Sequence, residues 1–323
     1  MSLEEFLEEW NNPSLYVHVQ TSGSTGAPKP MLVEKQRMLN SARITCDFLG
    51  LREGDTALLC MSLDYIAGKM MVVRSIERGL KLITVPPSGH PLSPLSTLHS
   101  PLDFAAMVPM QVYNSLQVPE ERERLMQIRH LIIGGGAIDD ALAAALKDFP
   151  HHVWSTYGMT ETLSHIALRR LNGPDASDWY TPFPSVKVSL NADDCLVIEA
   201  PLVCAERLVT NDIVELSEGR FRILGRKDNV ICSGGIKIQI ETVERQLRPH
   251  LQAPFLITKS PDTKFGEVVV LLTEGTVEEA RQVCAQVLPK YHQPKAYLHV
   301  DKIPLTETGK PARKAAEDIA KNR

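Results

Sequence analysis

The chain has 323 residues, 43% hydrophobic and 23% charged, with a formal net charge of −4. That length suits about two domains, and the balance excludes a wholly disordered or collagen-like chain and gives no overall basic surplus for nucleic acid or an anionic membrane. The apolar runs fall far short of a membrane span, and the acidic start Met1-Ser2-Leu3-Glu4-Glu5 lacks the apolar core of a secretory signal. Six scattered cysteines with no C-x-x-C pair read as reduced thiols of a cytoplasmic protein, not as a disulfide framework or a zinc site.

Leu3, Phe6, Leu7 and Trp10 recur at helical spacing, and Ser2 with Glu5 fits a capping box, so a helix is expected over residues 2–10. Residues 15–20 alternate and read as a strand that stops at Thr21. Strands are then expected at 56–61, 80–85 and 130–133, with helices at 66–78 and 139–149. A loop rich in Pro and Ser fills 86–101. This alternation predicts an α/β large domain with mostly parallel sheet layers. From about residue 183 short β-type runs follow, at 186–190, 196–200, 207–209, 213–216 and 220–224, which predict an antiparallel β subdomain. After Gly225-Arg226-Lys227-Asp228 a small α+β domain is expected, with helices at 241–247 and 277–287 and strands at 255–258 and 268–273. The domain reading is therefore 1–227 and 228–323.

The run Thr21-Ser22-Gly23-Ser24-Thr25-Gly26-Ala27-Pro28-Lys29 interleaves four hydroxyls with two glycines and ends on a lysine. Glycines let backbone N–H groups converge on phosphate oxygens, hydroxyls add donors and Lys29 adds charge. It is not a Walker A loop, because Pro28 stands before the lysine. Taken alone, the composition also suits a surface loop. Further along stand Tyr157-Gly158-Met159-Thr160-Glu161-Thr162, then Thr210-Asn211-Asp212, then Gly225-Arg226-Lys227-Asp228 with Ser233-Gly234-Gly235-Ile236-Lys237, and last Thr308-Gly309-Lys310. Each has a bland reading as a turn or a solvated charge; five in this order do not.

The series resembles the adenylate-forming superfamily of acyl-CoA synthetases, luciferases and peptide-synthetase adenylation domains, across nearly the whole chain. The resemblance implies an ATP-dependent acid–CoA ligase that makes an acyl-adenylate and then an acyl-CoA, using ATP, Mg²⁺ and CoA. It implies Thr21, Ser22, Gly23, Ser24, Thr25, Gly26 and Lys29 on the phosphates, with Gly135, Tyr157, Gly158, Asp212 and Arg226 on the rest of ATP or AMP. Thr160, Glu161 and Lys310 would be catalytic, and Glu161 would also hold Mg²⁺. Asp228 would be the hinge of a mobile C-terminal domain, and Gly234 and Gly235 would admit CoA. Asn211 stands where the family has glycine; asparagine tolerates left-handed backbone, so a turn is expected to survive there.

The segment Ser62–Arg74, with Glu161–Ala167, is similar to o-succinylbenzoate–CoA ligases of menaquinone biosynthesis. That implies a pocket for a ring and a second carboxylate, with Tyr65, Lys69, Arg74 and His165 as candidates. On a helix Lys69 and Arg74 lie about 140° apart and would face different targets, and His165 reads equally as a partner in a polar network. A ligase for another aryl or short-chain acid, an adenylation enzyme that loads a carrier protein, and a catalytically silent nucleotide-binding protein stay open. The family usually carries a whole subdomain before the phosphate loop, and 20 residues precede it here. The expectation is a short form, with activity and a homo-oligomeric state both left open. The partners are small molecules, with neither nucleic acid nor a membrane span.

Overall fold

The capping box is formed: the Ser2 hydroxyl accepts the Glu5 N–H at 3.1 Å, and the Glu5 carboxylate accepts the Ser2 N–H at 2.6 Å. It opens helix α1 (Leu3–Asn11), which buries Phe6. The computed structural model describes residues 1–20, 30–97, 100–306 and 311–322. Strand β1 (Tyr16–Gln20) buries Val17 and Val19, as its alternation requires, and pairs antiparallel with β2 (Pro30–Glu34), Gln20 opposite Pro30. Helix α2 (Lys35–Leu49) follows directly and stops at Gly50.

The main sheet is then assembled from short, almost wholly apolar strands. In chain order come β3 (Thr56–Leu59), α3 (Ile66–Arg78), β4 (Lys81–Thr84), β5 (Phe104–Met107), α4 (Pro109–Gln117), α5 (Pro119–Met126) and β6 (His130–Ile133). After them stand α6 (Asp140–Leu146), β7 (His152–Gly158), β8 (His165–Arg170) and β9 (Thr181–Pro182). The seven strands lie in the order β4-β3-β5-β6-β7-β8-β9. The first five are parallel, with Leu58 between Ile83 and Ala105, and β8 and β9 run antiparallel. Strands buried on both faces read as continuous apolar runs. Leu58, Ala105, Leu131 and Val153 accordingly share one core with Leu125 and Leu146 of the helices. Helix α3 is buried from Gly68 through Ser75, so the polar side chains it carries there must find partners inside the protein.

The β-rich region forms a sheet of β10 (Lys187–Leu190), β11 (Cys195–Glu199), β12 (Leu208–Ser217) and β13 (Arg220–Arg226), in that order. Glu218 and Gly219 both have positive φ (50° and 75°), which closes the β12–β13 hairpin with a right-twisting two-residue turn. The two runs expected at 207–209 and 213–216 are one strand. Asn211 lies inside it with no left-handed backbone, so the expected turn is absent.

The C-terminal module contains β14 (Val230–Ser233), β15 (Ile236–Gln239), α7 (Ile240–Leu247), β16 (Phe255–Asp262), β17 (Gly266–Thr273), α8 (Val277–Val287), β18 (Ala296–His299) and α9 (Arg313–Lys321). Its sheet runs β15-β14-β17-β16, and β18 joins β17 in parallel. Ile238, Val243, Leu247, Ile257 and Leu271 fill its core. The chain divides into a first unit of Met1–Ser189, Val197–Leu208 and Leu216–Arg222, and a second of Leu190–Leu196, Val209–Glu215 and Ile223–Arg323. Where the sequence suggests a single cut at 227/228, the second unit also takes Leu190 at the end of β10 and parts of β11, β12 and β13. Among the described residues, no helix is long and apolar enough to cross a membrane, and no three His, Cys, Asp or Glu side chains gather as a metal site.

Candidate active site

In the first unit, β7 ends at Gly158 with a register shift against β8 between Tyr157 and Gly158. A Cβ at Gly158 would lie 2.5 Å from the His165 Cα and closer still to the Ser164 carbonyl oxygen, so only glycine fits where the two strands cross. Beyond it, Thr160–Thr162 make one 3-10 turn. The buried Thr162 hydroxyl knots this turn, accepting the Met159 N–H at 3.0 Å and reaching the Ser164 carbonyl at 2.8 Å. Leu163 pays for the tightness with φ of +65°, a strained angle for a γ-branched residue and one with no signal in the sequence. Thr160 is largely covered, while Glu161 points to solvent. Tyr157 is 7% exposed and meets Phe221 edge-on at 5.0 Å and Tyr180 at 5.9 Å. Gly135 lies in the β6–α6 connection with φ of +78°.

Directly behind this turn is a buried polar chain. The Arg74 guanidinium donates to the Ser164 hydroxyl at 2.5 Å, Ser164 meets His165 Nδ1 at 3.2 Å, and His165 Nε2 meets the Thr45 hydroxyl of α2 at 3.1 Å. Arg74 is 2% exposed and its Nε has no hydrogen-bond partner. Among the described residues no carboxylate pairs with it. Burial pulls the Arg74 pKa down to about 10. Burial first, and then the Arg74 charge, hold His165 well below the ordinary histidine value. Ser164 and Thr45 are members that motif reading missed; small hydroxyl residues carry no pattern until a partner is adjacent. A small, partly open cavity lies beside His165, lined by Ser41, Ile44, Phe183, Val186 and Leu202 among others.

Lys69 departs from expectation. Its ammonium donates to the His18 carbonyl of β1 at 2.5 Å and lies 3.7 Å from Glu9 of α1. At 2% exposure, and with a pKa lowered by burial, it is committed to the N-terminal elements. The helical angle between Lys69 and Arg74 is what sends them to separate partners. Tyr65 caps α3, partly buried, and its carbonyl accepts the Lys69 N–H at 3.4 Å.

In the second unit four motif residues meet. Arg226 reaches Asp212 at 3.3 Å and Asp228 at 3.0 Å, and Asn211 Nδ2 donates to the same Asp228 oxygen at 3.2 Å. Gly234 and Gly235, at φ of 56° and 85°, form the two-residue turn between β14 and β15. The hairpin alone demands glycine-like backbone there. Thr21 through Lys29, and Lys310, lie outside the described residues.

The family model for AMP-binding enzymes matches residues 5–199. The chain belongs to that family. Among curated relatives of this AMP-binding enzyme, the 2-succinylbenzoate–CoA ligase of Salmonella typhimurium is 27% identical over 90% of this chain and 65% of its own length. That of Bacillus cereus is 24% identical over 97% and 71%. The chain thus spans about two thirds of these relatives. Among solved structures, an acyl-CoA synthetase (AMP-forming)/AMP-acid ligase II-like protein from Dyadobacter fermentans is 33% identical with a TM-score of 0.66, covering 96% of this chain and 91% of its own. The o-succinylbenzoate CoA synthetase of Bacillus subtilis, solved with its acyl-adenylate intermediate, is 23% identical with a TM-score of 0.78, covering 93% and 68%. At that identity the likeness speaks for the fold.

Proposed function

We propose that the chain is an AMP-forming acid–CoA ligase whose acid carries a second, distal carboxylate, most narrowly 2-succinylbenzoate. In the first step the acid's carboxylate oxygen attacks the α-phosphorus of ATP and pyrophosphate leaves. In the second the CoA thiol attacks the adenylate carbonyl, its proton is lost, and thioester and AMP are formed. The observation that carries the narrower reading is Arg74: a buried guanidinium with a bare Nε and no carboxylate partner among the described residues. A buried charge costs several kcal/mol unless it is paired, and a substrate carboxylate is the partner it lacks. Ser164 and His165 hold it, and His165, kept neutral by burial, adds a hydrogen-bonding ring without a second charge.

The remaining roles follow from side-chain chemistry. Thr21–Lys29 would cradle the phosphates, and Thr160 and Glu161 sit on a rigid turn where a hydroxyl and a solvent-facing carboxylate can meet them. Glu161 suits Mg²⁺, which takes one or two carboxylates plus phosphate oxygens. Asp212 would hold the ribose, Arg226 the nucleotide, and Lys310 the charge that develops at the α-phosphorus. Asp228 would be the pivot, and the Gly234-Gly235 turn would let the pantetheine arm of CoA approach the backbone. Menaquinone biosynthesis is the role this activity would serve.

The test is pyrophosphate release with ATP across a panel of acids, followed by CoA addition. 2-Succinylbenzoate should exceed benzoate and hexanoate by at least a hundredfold in kcat/KM, because a site built round a polar group rejects analogues lacking it. Equal rates would refute the distal-carboxylate reading. A thioester made only on a carrier protein would refute CoA as the acceptor.

A further inference from the structure

The backbone at Asp228 is tied down by its own three-residue turn. Lys227 reaches Asp193 at 2.6 Å, Asn229 reaches Glu241 at 2.5 Å, and Asp228 accepts from both Arg226 and Asn211. These tethers are not equivalent. The Lys227 pair is fully exposed, and such pairs are weak and screened by salt. Arg226 is shared with Asp212, and its charge would be drawn toward phosphate whenever a nucleotide is bound. The Asn211 bond to Asp228 is exposed as well, but Asn211 lies within β12 and carries no charge for salt to screen or for a nucleotide to draw away.

We propose that Asn211 is a positioning residue: from β12 it holds the Asp228 carboxylate, and so sets how readily the backbone at Asp228 turns and how turnover divides between adenylation and thioester formation. A hinge residue must exchange one backbone state for another, so a side-chain bond made in only one state biases the exchange. The asparagine is then more than a tolerated stand-in for a turn residue, since no turn exists at 211. That Asp228 is a hinge, and that turnover divides there, rests on the ligase reading; that Asn211 holds the Asp228 carboxylate and steadies its turn does not.

The experiment compares the full chain with Asn211→Ala and Asn211→Asp by hydrogen exchange over residues 224–232, in low and in 0.5 M salt (a concentration several-fold above physiological, about 0.15 M). Exchange should quicken at least threefold in Asn211→Ala. It should quicken further in Asn211→Asp, which sets a like charge beside Asp228. In high salt the wild-type turn should stay protected and the alanine variant should not. Exchange unchanged in Asn211→Ala would overturn the proposal, whether or not the chain turns over any acid. In parallel, adenylate formation and thioester formation from supplied acyl-adenylate are measured separately. Their ratio should shift at least threefold in both variants, with melting temperatures unchanged. A ratio equal to wild type beside quickened exchange overturns the catalytic half. Wild-type chain inactive in both half-reactions would instead sink the ligase reading and leave the exchange comparison to decide the role of Asn211.

Discussion

Replacing Arg74 by methionine separates the cost of the guanidinium from its use. Arg74 makes one strong contact, to Ser164 at 2.5 Å, and a looser one to the Met71 sulfur at 3.7 Å. A hydrogen bond from a charged group contributes about 1.5–3 kcal/mol. Against it stands the desolvation of an unpaired guanidinium, several kcal/mol even after relaxation. Methionine retains the unbranched stem as far as the Nε position, adapts to irregular space, and leaves only the volume of the guanidinium head to be closed. The balance lies between neutral and about 2 kcal/mol in favour of the variant, so the melting temperature should hold or rise by a few degrees. Activity should move the other way. A substrate carboxylate that loses its cation gives up about 2–5 kcal/mol, which is roughly 30- to 5,000-fold in kcat/KM. An acid with no distal carboxylate should change by less than about threefold, having nothing to lose there. The assay is pyrophosphate release with 2-succinylbenzoate and benzoate, beside thermal unfolding of the same preparations. If Arg74→Met melts some 10 °C lower and keeps the wild-type preference between the acids, the guanidinium is a structural strut and the reasoning fails.

Lys69→Met should raise KM for ATP and leave the preference among acids intact, because Lys69 secures β1 and α1; a narrowed acid preference in kcat/KM would place the ammonium at the acid instead. Gly158→Ala should lower stability by about 3 kcal/mol in denaturant titrations, since its Cβ meets backbone that cannot step aside; a loss under about 0.5 kcal/mol would mean the β7–β8 crossing gives way. Acid should destabilise the fold early. Burial holds His165 well below 6.5, and burial, helped by Arg129 and His152, pulls His130 to about 4. Both are neutral when folded and protonate near 6.5 when unfolded, so the unfolded state binds more protons as pH falls below 6.5. Stability present above that value should fall by up to about 1.4 kcal/mol per pH unit for the fully buried His165. Unfolding free energies measured from pH 7 to 5 should flatten in His165→Gln, and an unchanged slope would show that the folded imidazole already takes the proton.

The sequence and the structure agree most closely where one force dominates. Alternation of Val17 and Val19, the capping box at Ser2, and the apolar strands Thr56–Leu59 and His130–Ile133 each follow from burial or capping alone. The segments that escaped are those where tertiary packing decides. Strand β5 is four residues, Phe-Ala-Ala-Met, with no alternation to read, whereas helix α2 buries Met38, Ala42, Cys46 and Leu49 at helical spacing, a signal diluted by the small polar Ser41 and Thr45 on the same face. The sequence reads as two runs, at 207–209 and 213–216, where there is one strand, because Thr210-Asn211-Asp212 has turn-like composition. Pairing with its neighbours overrides that preference, and Asn211 spends its amide on Asp228. The resemblance assigns the glycine pair at 234–235 to ligand access, yet its positive φ angles are already required by the two-residue hairpin. Local chemistry and function can coincide there without one being evidence for the other.

Helix α3 gives the sharpest distinction between candidate residues. Its stretch from Gly68 to Ser75 is buried, yet it contains two cations five positions apart. Every charge placed there must find compensation inside the protein. Lys69 finds a carboxylate and a carbonyl on α1 and β1, so its placement is accounted for by the fold. Among the described residues Arg74 finds a hydroxyl, a thioether and a neutral imidazole network, none of which balances its charge, and its Nε has no hydrogen-bond partner. A fold that needed only to fill that position would do as well or better with methionine or leucine. On the function proposed above, the arginine's partner is a ligand that arrives after folding and carries a negative charge to the Arg74–Ser164–His165 chain. Under that proposal an acid bearing a second carboxylate would supply the missing charge, and a monocarboxylic acid, whose one carboxylate is used at the adenylate, would leave Arg74 as it stands.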